Sequence, residues 1–99
     1  MIRHVVLFTF LDTVTNAQMD ALAAALDSLP GEIPEIVAYR HGRDLGLSET
    51  NFDYAVTADF ASEEDLAIYR SHPVHLRLIA DHVEGNVADR AAVQFPLID

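Results

Sequence analysis

Tyr69, His72 and His75 are spaced three apart across Pro73, inside the stretch YRSHPVHLRL (69–78). A histidine titrates near neutrality, so it can take a proton from a carbon beside a carbonyl and later return it. A tyrosine hydroxyl can donate a hydrogen bond to the oxyanion that forms. General-base catalysis of this kind contributes on the order of 10²–10⁴-fold, which suits an acidic carbon such as that of a β-polyketide. Such chemistry needs neither a metal nor a nucleotide. The same residues also admit a structural reading. His72 precedes a proline, is disfavoured in the helical region, and can simply mark a break between two helices. His75 can be a helix-start histidine with a satisfied hydrogen bond. Tyr69 can be a core aromatic with its hydroxyl at the surface.

Which reading holds depends on the elements around the stretch. Residues 2–10, IRHVVLFTF, are rich in β-branched and aromatic side chains and predict a strand. Ile2, His4, Val6, Phe8 and Phe10 share one face, and Arg3, Val5, Leu7 and Thr9 the other. Both faces are largely apolar, so a central strand is expected. Thr15 and Gln18 match a capping box, and Met19, Leu22, Ala23, Leu26 and Leu29 follow at helical spacing. That helix should end near LPGEIP (29–34), where two prolines and a glycine interrupt it. Residues 35–43 read as a second strand, 44–51 as a loop, and 52–61 as a third strand with Tyr54, Val56, Ala58 and Phe60 on one face. Ser62 and Asp65 open a short helix, and Pro73 suits the first position of another, whose stripe would be Leu76, Ile79, Ala80 and Val83. Residues 88–97 close the pattern as a fourth strand.

The order β-α-β-β-α-β, with the second helix broken in two, predicts an α+β, ferredoxin-like single domain over 1–99 with a four-stranded antiparallel sheet. If the helices cover the face of His4, then His4, Tyr54, Tyr69 and His75 can line one cavity. The other face would show Val5, Leu7, Val37 and Tyr39. An apolar sheet face of that size should not stay in water, so two subunits are expected to pack these faces together as a homodimer.

Charge and composition exclude other classes. Sixteen acidic groups stand against six arginines and no lysine, a net charge of −10, which repels nucleic acid and anionic membrane surfaces. No window of eighteen apolar residues predicts a membrane span, and the N-terminal run lacks a signal-peptide cleavage pattern, so a soluble cytoplasmic protein is expected. There is no cysteine. His75 and His82 would lie about 10 Å apart along a helix, too far to share an ion, and no H-x-x-x-H is present, so no metal is expected. The four glycines form no phosphate-binding loop, so no cofactor is expected. Arg40 and Arg43 on the second strand either hold a substrate carboxylate or offset the acidic excess. ASEED (61–65) reads as a helix cap with acids in the first turn.

The chain resembles the Dabb family of stress-responsive dimeric α/β-barrel domains. The resemblance rests on MIRHVVLFTF at the start, FASEEDLAIY (60–69), HPVH (72–75) directly after, and a last strand ending in VQFPL. It covers essentially the whole chain and implies a barrel formed across a homodimer. It does not imply one activity. Some relatives are stress-associated proteins without an assigned reaction, and others cyclise polyketide chains by aldol chemistry. In a plant cyclase of this kind a tyrosine and the last histidine of the HP-x-H segment move protons, and these match Tyr69 and His75. A first-strand pocket histidine matches His4. A third-strand pocket histidine falls at Tyr54, a departure from that cyclase, so the resemblance does not imply the same substrate.

Three functions follow as expectations. One is a cofactor-free small-molecule enzyme of the polyketide cyclase type, with His75 and Tyr69 catalytic and His4, Tyr54 and His72 binding a small hydrophobic or polyketide-like ligand. The second is a non-catalytic ligand-binding or stress-response homodimer. The third is a cofactor-independent monooxygenase.

Overall fold

A computed structural model describes residues 1–98. Its strands are β1 (Ile2–Phe10), β2 (Ala38–Arg43), β3 (Tyr54–Phe60) and β4 (Val87–Pro96). They form one antiparallel sheet in the order β2-β3-β1-β4, with the alternation of a ferredoxin-like fold. The helices α1 (Asn16–Glu32), α2 (Glu63–Ser71) and α3 (Pro73–Leu78) complete it. A π-helical turn, Ile79–Val83, continues α3. Among the described residues, no helix is long and apolar enough to cross a membrane.

The core lies between the helices and the sheet face of Val6, Phe8, Val56, Ala58 and Phe60, where Leu22, Leu26 and Leu29 of α1 are buried with Ile33. The capping box forms: Gln18 N–H donates to the Thr15 hydroxyl at 3.2 Å, and Thr15 N–H to Gln18 Oε1 at 2.7 Å. The helix passes through Pro30 and Gly31 before it stops. Pro30 removes only one N–H near the end of a long helix, and burial of Leu29 and Ile33 holds the last turn in place. Ile33 N–H closes that turn on the Leu29 carbonyl at 2.9 Å.

Two expectations about faces are corrected. Tyr39 does not lie on the open sheet face. It pairs with Ala58, which pairs with His4, so Tyr39, Ala58, His4 and Gln94 form one cross-strand row on the helix side. In 35–43, either alternate set contains apolar residues, and a one-residue choice exchanges the two faces. The open face is instead built from Val5, Leu7, Ala38, Ala55, Val93 and Phe95, with Arg3 and Asp59 joined by a bidentate pair at 2.8 and 2.9 Å. The second correction concerns the last helix. Leu76 is 51% exposed, and Leu78 is buried in its place. Glu84 N–H reaches back five residues to the Ile79 carbonyl, so the widened turn aligns Leu78 with Val83 rather than Leu76 with Val83.

Candidate functional site

The break between α2 and α3 positions the two central rings. His72 is extended (φ −63°, ψ 134°), and its Nδ1 accepts the Val74 N–H at 3.2 Å, capping α3. Pro73 then opens the helix without forfeiting an intrahelical bond. The turn places His75 over the Tyr69 ring, with centroids 4.2 Å apart and planes tilted by 37°. The Tyr69 ring is also 5.1 Å from Phe60 and 6.2 Å from each of His4 and Tyr39. Ala58 lies between His4 and Tyr39 in their row, and its small side chain leaves room above the sheet for these rings.

The hydrogen bonds assign protons. His75 Nδ1 lies 3.3 Å from the Arg70 carbonyl, which can only accept, so Nδ1 carries the proton and Nε2 the lone pair. Burial, aided by the fields of Arg70 and Arg90, pushes the His75 pKa down against the opposing pull of its bond to the Arg70 carbonyl, which keeps the ring neutral at pH 7. His4 is 4% exposed, and burial with the fields of Arg90 and Arg70 lowers its pKa to about 4. Its Nδ1 accepts a bond from the Gln94 amide at 2.8 Å, which fixes the neutral tautomer with Nε2 protonated. The hydroxyls of Tyr39 and Tyr69 are 2.9 Å apart. Burial raises both pKa values, so both phenols stay protonated. With Tyr39 as donor, the Tyr69 O–H is free to point at a ligand.

These four side chains line a cavity of about 360 Å³ between sheet and helices, walled otherwise by Val6, Phe8, Leu22, Leu26, Leu78 and Val83. That volume falls among those of small-molecule sites, roughly 300–1,000 Å³. A larger hollow, about 510 Å³, lies between Leu7, Ala55 and the 44–52 loop, and no histidine lines it. The smaller cavity brings together a neutral imidazole with a free lone pair and a phenol donor, among largely apolar walls. Among the described residues, no three His, Asp or Glu side chains converge as a metal-ligating group.

Of the residues singled out in the sequence, His4, Tyr69 and His75 meet in this cavity. His72 and Tyr54 do not line it. His72 spends its ring on the helix cap, and Tyr54 O–H is bonded to His41 Nδ1 at 2.7 Å, while His41 Nε2 lies 2.6 Å from Asp27 of α1. This Asp27–His41–Tyr54 chain ties α1 to the sheet. Arg43 is bound to Asp20 at 2.7 Å, and Arg40 lies on the open face, so neither reaches the cavity. Tyr39, Gln94, Arg70 and Arg90 were missed. The alternation of 35–43, read with Tyr39 on the face of His4, would have found the first of them.

Comparison with known proteins agrees with the fold. A 1.50 Å crystal structure of a dimeric ferredoxin-like protein of unknown function from Thermobifida fusca is 45% identical, covers 97% of this chain and 90% of its own, and superposes with a TM-score of 0.90. The hydroxynitrile lyase of Passiflora edulis shares the fold at 20% identity and a TM-score of 0.86, covering 99% of this chain and 94% of its own. The stress-response A/B barrel domain-containing protein HS1 of Arabidopsis thaliana is 27% identical over 77 residues, 76% of this chain and 71% of the relative. The stress responsive A/B barrel domain model matches residues 2–97, and the chain belongs to that family, Dabb.

Proposed function

We propose that this protein is a homodimeric small-molecule enzyme that performs acid–base chemistry at a carbonyl compound without a cofactor, by aldol-type condensation or cyclisation. The observation that carries this reading is the neutral His75 ring seated on Tyr69 in the wall of an apolar cavity. His75 Nε2 takes a proton from the carbon beside the carbonyl, and the electron pair moves onto the carbonyl oxygen. Tyr69 donates its O–H to that oxygen as charge develops, supported by Tyr39. The enolate carbon adds to a second carbonyl carbon, and the imidazolium returns the proton to the new alkoxide. His4, held neutral, offers its Nε2–H as a further donor. Dimerisation draws support from the apolar open face and from the relative described as dimeric.

A second reading, ligand binding without turnover, draws support from the name of the HS1 relative, which carries a stress response rather than a reaction. One experiment separates the two. The methylene protons of decane-2,4-dione exchange with deuterium in D2O, and NMR follows their loss. The enzyme reading expects acceleration above buffer, lost by about tenfold or more in His75→Ala and in Tyr69→Phe with fold retained. A wild-type rate equal to buffer, with the dione bound, favours the binding reading.

A further inference from the structure

Arg70 and Arg90 also line the cavity, and both are solvent-exposed, so they stand where it opens. They come from different elements. Arg70 follows Tyr69 in the last turn of α2, and Arg90 of β4 pairs with Phe8 on the helix side of the sheet. Among the described residues, the ion pairs are Arg3–Asp59, His41–Asp27 and Arg43–Asp20, so neither rim arginine is engaged with a carboxylate. The chain carries sixteen acidic groups, yet no Asp or Glu lines this cavity. In a protein of net charge −10, the charged lining of this pocket is thus two guanidinium groups. Their fields reach the interior, since both lower the pKa values of His4 and His75.

We infer that the ligand of this cavity is an amphipathic carboxylate, whose head group is held by Arg70 and Arg90 while its apolar chain lies against Leu22, Leu26 and Leu78. Guanidinium groups match a carboxylate through paired, charge-assisted hydrogen bonds. The inference rests on the reading of the cavity as the substrate site and deepens it. Arg70 adjoins Tyr69, so an anchored head group would place the reacting carbonyl near the carboxylate end, as in an apolar-tailed keto acid. The negative chain as a whole repels anions at long range, so a preference for one must come from local groups, and of those lining the cavity only this pair carries positive charge.

The test is calorimetric titration of the intact protein with decanoate, with its neutral isostere decanamide, and with decyl phosphate. Decanoate is expected to bind about tenfold or more tightly than decanamide, from charge-assisted bonds at the head group. Arg70→Gln with Arg90→Gln should abolish that preference, leave decanamide affinity within about twofold, and leave the circular dichroism spectrum unchanged. Equal binding of decanoate and decanamide, or a preference that survives the double substitution, overturns this inference and leaves the catalytic reading standing. Tighter binding of decyl phosphate than of decanoate overturns the carboxylate assignment. Binding of none of the three overturns the pocket reading and this inference together.

Discussion

The imidazole of His75 rests 4.2 Å from the ring of Tyr69, although five residues and a proline break separate them in the chain. The break creates the contact. A continuous helix would give six residues a path of about 9 Å along the axis. The extended His72 instead folds α3 back onto the end of α2. The proposed base and donor are thereby held on adjoining elements, with Phe60 beneath Tyr69 as a fixed floor.

Tyr39→Phe tests whether the second phenol assists the first. The bond from Tyr39 lowers the Tyr69 pKa against the rise caused by burial, so its loss should raise Tyr69 further. Ultraviolet titration of the phenols is expected to show that rise. Turnover of a substrate should fall by about 3–10-fold, the order expected for one lost neutral hydrogen bond, with His75 titration unmoved.

The histidines set an acid limit on stability. His4 has an ordinary value of 6.5 and a folded value of about 4, so between these the unfolded chain binds the extra proton. Stability from this group is complete above pH 6.5 and is lost as pH falls towards about 4. The amount is roughly 2–3 kcal/mol. His75, also lowered, adds in the same direction. Urea denaturation at several pH values should show the slope, and His4→Gln should flatten it. For catalysis, the free base of His75 should persist below the ordinary histidine value, so the acid limb of a pH–rate profile is expected below pH 6.5.

Packing beneath the site is expected to matter for rate as well as stability. Phe60 is buried and lies 5.1 Å from Tyr69. Phe60→Leu should cost about 1–2 kcal/mol through the void it leaves. Tyr69 would then settle towards that void. Denaturation measures the first effect, and a drop in turnover larger than the drop in substrate affinity measures the second.

The open face predicts the oligomeric state. Val93 and Phe95 are 55% and 41% exposed and share that face with Val5 and Leu7. Analytical ultracentrifugation should give a species of twice 10.9 kDa at micromolar concentration. Val93→Asp should shift it to the single-chain mass, because a charge in such a contact must be desolvated without a partner.

The sequence by itself determined the elements and their order. The β-branched run at 2–10, the capping box at Thr15 and the Ser62 and Pro73 helix starts are local signals with local causes, and each lies where its residues put it. It also allowed Tyr69 and His75 to meet, because the proline between them breaks the helix, while the choice of these two as a pair came from the family resemblance. Tertiary structure alone decided which face of β2 meets the helices, and so brought Tyr39 to Tyr69 instead of to the open sheet. It decided that His72 caps a helix, and that Tyr54 closes a bond with His41 away from the cavity. It also placed Arg70 and Arg90, 20 residues apart in sequence, on one rim. The physical reason is common to all of these. Strand alternation specifies two faces without saying which is inward, and a side chain's hydrogen-bond partner is chosen among groups that only strand pairing and helix packing bring within reach.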